Sequence, residues 1–454
     1  MSTHPQSQSP EGKHIVAIIG GACAGAEVAA RLADHGVEVV VFDQRERPYG
    51  KIEEGLPRWH RAQRIREFGI IDRKLGQPGV HVVPSTSIGA DIAFDDLVNS
   101  WGFSAVVLAC GAWRDRPFPV EGADAFVGRG LVYQNDLMRW YNHLGEPGHD
   151  NDAYRPVDGA LVVGGGLASV DVCKVHMFEM TRRAFEARGL EFDGEKADKL
   201  GLDKVLDAHD LTWEELGIEG VTLFYRRGFE DMPVMAMPKG ASPEKAAKVR
   251  SARVKIIERT LRKYRFTVET LARPESLIVE ADRVVGLVFR RMQVVDGQLQ
   301  PTDQTFERRG PYVVSSIGSI PLPIEGVPMQ GELIDYAEWD LGEVRGLPTV
   351  FGAGNVVTGK GNIAVSRRHG GTIGEHVAAR LMGVGEGELQ ATAPVEHAAA
   401  HAEHVASALS QMAPPTEAQR ADILARVAAR QQVVGYEDYA GWISAHPARD
   451  QEEE

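Results

Sequence analysis

Two copies of one pattern constrain this chain more than any other feature: a short β-branched run, a glycine turn, a helix, and a second β-branched run. The first copy opens with His14-Ile15-Val16-Ala17-Ile18-Ile19, turns at Gly20-Gly21-Ala22-Cys23-Ala24-Gly25, enters an Ala-rich helix over Ala26 to His35 and returns as a strand at Val37 to Phe42. The second runs from Ala160-Leu161-Val162-Val163 through Gly164-Gly165-Gly166 into a helix at Ser169 to Ala187, and reaches a strand at Val221 to Tyr225. Each reads as a βαβ unit. In such a unit the helix amides face the turn and can receive a phosphate, so two copies predict two nucleotide sites.

The length of 454 residues exceeds what one growing core usually supports, so two domains are expected. A content of 43% hydrophobic and 25% charged residues is that of a globular protein, and 49 glycines suit many strand-to-helix turns. Further strands are expected at Ala105 to Ala109, Arg283 to Arg291, Tyr312 to Ser316 and Thr349 to Gly352. The polar stretch Arg188 to Gly220 is longer than an ordinary connection and reads as an insertion with short helices of its own. Beyond Gly383 the chain becomes Ala/Glu/His-rich and helical, with a break at Pro414-Pro415 and an acidic close at Asp450 to Glu454.

In the first turn Gly20 and Gly25 take the first and third glycine positions, and Ala22 stands where a middle glycine is usual. Asp43, at the end of the next strand, is placed to accept hydrogen bonds from a ribose diol. A glycine turn without a ligand is the plainer alternative, which the βαβ context and the acid disfavour. The second turn reads Gly164-x-Gly166-x-x-Ser169, where a small serine still lets helix and strand pack closely. At the strand end where the first unit has an acid, the second has Arg226 and Arg227. Guanidinium groups hold phosphate in a forked, charge-assisted way, and a carboxylate there would repel a 2′-phosphate, so the pair points to NADPH over NADH. An arginine pair is otherwise most often a solvated surface feature.

A net charge of −14 argues against a general nucleic-acid binder. Cys23, Cys110 and Cys173 lie far apart with no Cys-x-x-Cys pair, so neither a disulfide framework nor a dithiol centre is expected. Residues 1 to 13 are polar and no 18-residue apolar run occurs, from which no membrane span and a cytoplasmic location are expected.

Several motifs, in order, carry a likeness to a known family. Over about residues 14 to 383 the chain resembles the adrenodoxin-reductase-like ferredoxin–NADP reductases, which are related to the flavoprotein small subunit of glutamate synthase. Pro48-Tyr49-Gly50, with Gly55-Leu56-Pro57 and His60, looks like the family segment beside the isoalloxazine ring. Trp140-Tyr141-Asn142 looks like the crossover, Gly164 to Asp171 the NADP turn, Arg226-Arg227-Gly228 the phosphate pair, and Gly354 to His369 the stretch that returns over FAD and nicotinamide. Asn355 departs from the Asp or Trp found in relatives, and the Cys-rich segment of the glutamate synthase subunit is lacking, so no iron–sulfur cluster is expected.

The resemblance implies two Rossmann-like three-layer domains in an α/β fold, with FAD on 14–118 and 320–383, NADPH on 119–319, and a helical appendage at 384–454. The expected FAD contacts are Gly20, Ala22, Cys23, Ala24, Gly25, Asp43 and Gln44, then Gly50, Lys51, Gly55, Leu56 and His60, then Cys110, Gly111, Ala112, Gly354 and Asn355. Gly361, Asn362 and Ile363 are expected near the flavin pyrimidine or the nicotinamide carboxamide, and Gly164, Gly166, Leu167, Ala168, Ser169, Arg226 and Arg227 around NADPH. His60 and Asp171 are implied as a polar pair that orders water or shuttles a proton. No metal is expected.

The acceptor is suggested by Lys245 to Arg265, which holds nine basic residues, while Glu244 and Glu258 are the only acids from Ser242 to Phe266. That local excess suits an acidic carrier such as ferredoxin or flavodoxin. It equally suits a solvated basic helix packed through Val249, Val254, Ile256, Ile257 and Leu261. A ferredoxin reductase, an electron-input subunit of a larger complex and a flavin-binding redox sensor are the functions this pattern allows.

Overall fold

The computed structural model describes residues 13–238, 240–383 and 413–452. The described residues divide into two compact units, one within 13–53, 62–114, 320–383 and 413–452, the other within 54–61, 115–238 and 240–319.

The first unit is built on a seven-stranded sheet. Its spatial order is Tyr336–Glu338, Glu343–Val344, Val350–Gly352, Ala105–Leu108, Ile15–Ile19, Glu38–Phe42 and Val80–Val83. The last five are mutually parallel, with Ile19 opposite both Phe42 and Leu108. Ile15–Ile19 and Glu38–Phe42 are buried along their whole length, as central parallel strands covered on both faces must be. Helix Cys23–Asp34 packs against helix Ile363–Met382, which approaches so closely that a Cβ on Gly370 would stand 2.6 Å from the Ala24 carbonyl oxygen.

The second unit carries a five-stranded parallel sheet in the order Leu131–Tyr133, Val313–Ser316, Leu161–Gly164, Thr222–Phe224 and Thr267–Glu269. Helix Leu167–Glu186 follows the third of these strands and buries Val172, Val175, Met177 and Phe178 in the core. The stretch 188–220 forms three short helices, Gly194–Leu200, Leu202–Asp207 and Trp213–Leu216, as expected of the insertion.

One element exceeds expectation. Where a single strand was anticipated at Arg283 to Arg291, the chain forms a three-stranded antiparallel sheet of Ala272–Glu280, Arg283–Val295 and Gln298–Arg309. Its turns, Ala281-Asp282 and Asp296-Gly297, all have positive φ, the geometry of two-residue hairpins. Of the expected appendage, residues 384–412 lie outside the described residues, and 413–452 form the helices Glu417–Val434, Tyr439–Ala445 and Arg449–Glu452.

Candidate functional site

In the first unit, Gly20 has φ +100°, and a Cβ on Gly25 would stand 1.8 Å from the Gly20 carbonyl oxygen, so the turn folds back on its helix as tightly as sterics allow. Ala22 is the N-cap of Cys23–Asp34 and offers its amides no capping side chain. Asp43, buried at the end of the neighbouring strand, accepts the Gly21 N–H on Oδ2 at 2.7 Å and the Arg45 N–H on Oδ1 at 2.9 Å. Burial outweighs these hydrogen bonds and pushes its carboxyl up to about 6. Gln44 beside it is exposed.

Lys51 opens the short helix Lys51–Glu54, and its ammonium lies 5.7 Å from the centre of the Trp113 ring, which the Arg45 guanidinium also approaches at 5.4 Å. Cys110, Gly111 and Ala112 follow the strand Ala105–Leu108. Burial pushes the Cys23 and Cys110 thiols up to about 11, so both stay protonated at neutral pH. Gly354 donates its N–H to His369 Nδ1 at 3.0 Å, and burial lowers the pKa of that imidazole. Asn362 caps helix Ile363–Met382 by accepting the Val365 N–H at 3.1 Å. Asn355 Oδ1 is buried without a hydrogen-bond partner among the described residues, a polar atom left for a ligand.

The second turn repeats the arrangement. Gly166 caps helix Leu167–Glu186 without a side chain, Ser169 donates its hydroxyl to the Gly166 carbonyl at 2.8 Å, and Leu167 and Ala168 are exposed at the turn. Neither turn-borne helix has a side-chain cap, so the first amides of each are not taken up by one. Gly165, passed over as a spacer in the motif, is held against the Tyr225 ring. Arg226 is exposed and makes no ion pair or hydrogen bond among the described residues, while Arg227 lies 3.9 Å from Asp231.

Residues 54–61, anticipated in the first domain, pack within the second unit. Asn142 fixes them, accepting the Arg58 N–H at 3.1 Å and donating to the Leu56 carbonyl at 3.1 Å, next to Gly55. The segment sets Trp59 against Tyr141 and Phe178 and places His60 within reach of the Asp198 charge. Beside Asp171 lies Lys174, whose buried ammonium is 3.8 Å from Asp171 and 2.5 Å from Asp198 and faces the Trp59 and Tyr264 rings. Burial pushes Asp171 up to about 6 against the pull of Lys174. Lys174 and Asp198 were not anticipated; a lysine three residues past Asp171 on the same helix face was the signal available.

The basic stretch forms the helix Pro243–Tyr264. Lys248, Lys255, Arg259 and Arg262 recur at helical spacing and are exposed. Arg253 does not belong with them: it is buried with Ile257 and Tyr264 and donates to the carbonyls of Met235 at 2.9 Å and Glu230 at 3.3 Å. Lys263 is bound to the Asp198 carbonyl and Arg265 to Asp203 at 2.7 Å. No described helix is long and apolar enough to cross a membrane.

Two glycine turns, each between a strand and a helix of a largely parallel sheet, give the chain an α/β fold with two units of the dinucleotide-binding kind. Residues 14–188 match the profile of the family described as pyridine nucleotide-disulphide oxidoreductase. Cindoxin reductase of Citrobacter braakii is 31% identical over 166 residues, 35% of this chain and 34% of that protein. The glutamate synthase [NADPH] small chain of Mycobacterium tuberculosis is 29% identical over 191 residues, 38% and 37% of the two chains. The expected kinship with glutamate synthase small-chain flavoproteins is thereby borne out, and the chain spans about a third of the length of these curated relatives. Among solved structures, Mycobacterium tuberculosis FprA in complex with NADPH superposes with a TM-score of 0.65 at 19% identity, covering 92% of this chain and 91% of that one, so the fold is shared.

Proposed function

We propose that this chain is an FAD-dependent oxidoreductase that takes hydride from NADPH and passes electrons singly to an acidic carrier of the ferredoxin or flavodoxin type. The observation that carries the reading is the opposite chemistry of two equivalent strand ends, a buried carboxylate at Asp43 and a guanidinium at Arg226 that has no partner among the described residues. FAD, when bound, supplies the ring that accepts hydride and releases electrons one at a time.

The chain's own residues bind and orient. The amides at the start of Cys23–Asp34 receive the pyrophosphate, and Asp43, each oxygen already holding one backbone N–H, has lone pairs left for a ribose diol. Arg226 offers its fork to the 2′-phosphate of NADPH. Asp171, pushed up to about 6, takes up or releases a proton at its carboxyl near neutrality, with His60 as its partner in moving it. With three cysteines and no Cys-x-x-Cys pair, electrons leave by a route other than a dithiol on this chain. The exposed stripe Lys248, Lys255, Arg259 and Arg262 supports an acidic carrier.

Anaerobic titration of the purified protein with NADPH and NADH, followed by a panel of ferredoxins, tests the reading. NADPH bleaches the bound flavin and NADH does so poorly; a protein that stays colourless and refuses FAD on reconstitution sinks it. The match to a glutamate synthase small chain favours a second reading, an electron-input subunit of a larger complex. Co-purification with a larger subunit, seen as a shifted size-exclusion mass, identifies that case.

A further inference from the structure

The C-terminal helices touch the one strand of the first unit that carries the nucleotide-site acid, and they do so at both of its ends. At its start, Arg420 pairs with Glu38, which also meets His81 at 2.8 Å. Past its end, Trp442 Nε1 donates to the Glu46 carbonyl at 2.7 Å, and His446, tilted against Trp442 with ring centres 4.0 Å apart, lies 3.3 Å from the Glu46 carboxylate. Arg47 donates to the Pro447 carbonyl at 3.5 Å.

The neighbouring loop is held in the same way. The Asp43 backbone exchanges hydrogen bonds with Val83 and Thr86 at 3.0 and 2.8 Å, and the Ser85 N–H donates to the Arg45 carbonyl at 3.0 Å. Arg430 donates from Nε to Thr86 Oγ1 at 2.9 Å and from its terminal nitrogen to the Ser85 carbonyl at 3.3 Å, and pairs with Asp91 at 2.9 Å. Gln431 donates to the Val82 carbonyl at 2.8 Å. Below these, Ile423 and Val427 are buried in the unit's core, and Asp450 forms a buried ion pair with Arg64 at 2.8 Å.

We propose that residues 413–452 brace the first nucleotide site, with Trp442 and Arg430 as positioning residues that fix the Asp43–Arg47 loop so that the Asp43 carboxylate stands ready for the adenosine ribose of FAD. The inference rests on the FAD reading of that site. Loop residues 43–47 have hydrogen-bonding partners of two kinds, the turn they serve and the helices behind them. An exposed loop held on one side only would lose conformational freedom when ligand binds, and the brace removes that cost beforehand.

The test uses the full chain, stripped of FAD, with Trp442→Phe, which keeps the ring and removes the donor to Glu46, and Arg430→Gln. FAD and an FAD analogue lacking the adenosine 2′-hydroxyl are titrated into each, and the thermal midpoint of each apoprotein is recorded. Losing one such bond corresponds to about a 3- to 10-fold rise in Kd for FAD. The penalty that the wild type shows for the missing hydroxyl shrinks in both variants, a change that a loss of global stability alone does not produce. Wild-type FAD affinity in both variants, or an undiminished penalty for the analogue, overturns the brace. A wild-type chain that binds no FAD overturns the reading beneath it instead.

Discussion

The ring of Tyr225 fills the space into which a side chain on Gly165 would grow: a Cβ there would stand 2.2 Å from two of its carbons. The ring cannot easily retreat, because its hydroxyl donates to the Asp231 carbonyl at 3.0 Å. Gly165→Ala is therefore expected to cost about 1–3 kcal/mol of unfolding free energy by overpacking. Gly166→Ala, whose Cβ would meet nothing nearer than 4.0 Å, is expected to cost less than about 1 kcal/mol. Chemical denaturation of the two variants checks the ranking, and equal costs would show that the turn yields to the added methyl.

Arg226 has no partner to lose among the described residues, so its replacement isolates the proposed contact with the 2′-phosphate. A charge-assisted hydrogen bond of about 1.5–3 kcal/mol corresponds to roughly a 10- to 150-fold rise in KM for NADPH in Arg226→Ala. NADH oxidation should be unchanged, and Arg227→Ala, already shared with Asp231, should have a smaller effect. Steady-state kinetics with both nucleotides decide it; a parallel loss with NADH would mean that the residue supports the loop and does not read the phosphate.

Asp171 makes a pH prediction. Its folded pKa, about 6, lies above the ordinary 3.8, because burial favours the neutral carboxyl more strongly than Lys174 favours the charged one. The stability tied to that neutral form is fully present below about pH 4 and is lost as pH rises through about 6. Asp171→Asn should therefore match the wild type at low pH and exceed it by about 3 kcal/mol at pH 7, some two pKa units at 1.36 kcal/mol each. Denaturant midpoints across pH 4 to 8 measure this; a gap that does not widen with pH contradicts it.

The exposed cations of Pro243–Tyr264 separate docking from folding. Reversing Lys248, Lys255 and Arg259 to Glu should slow reduction of a ferredoxin about 10-fold or more at low salt and leave NADPH oxidation by ferricyanide unchanged. Arg253→Glu should instead destabilise the protein, since it strips two carbonyls of their donor and buries a charge. Equal losses with both acceptors in the triple variant would remove the docking role.

The two βαβ units were legible because a glycine turn, a helical period and buried β-branched strands are all local signals. Arg253 was not read correctly, although it sits four and eleven residues before Ile257 and Tyr264, on the face that the helix buries. Counting charge along the sequence hid what the helical period displays. The antiparallel sheet was half missed because Gln298–Arg309 is polar along nearly its whole length and lacks the alternation of a half-buried strand. Asp296-Gly297 was its one strong local sign. Lys174, Asp198 and the contacts of the C-terminal helices depend on residues tens to hundreds of positions apart, which no window along the chain brings together.

The first unit takes its central strands from residues 15–42 and 105–108 but needs Val350–Gly352 and helix Ile363–Met382 to complete its sheet and back its first helix. During synthesis the whole span 115–319 emerges before those pieces, and it holds a sheet of its own that can close as soon as it leaves the ribosome. The earlier-made turn at Gly20 thus waits, with its helix unbacked, for more than three hundred residues. Over that interval its strand Ala105–Leu108 lacks its neighbour Val350–Gly352, and the unit made in the middle of the chain is the one that can close first.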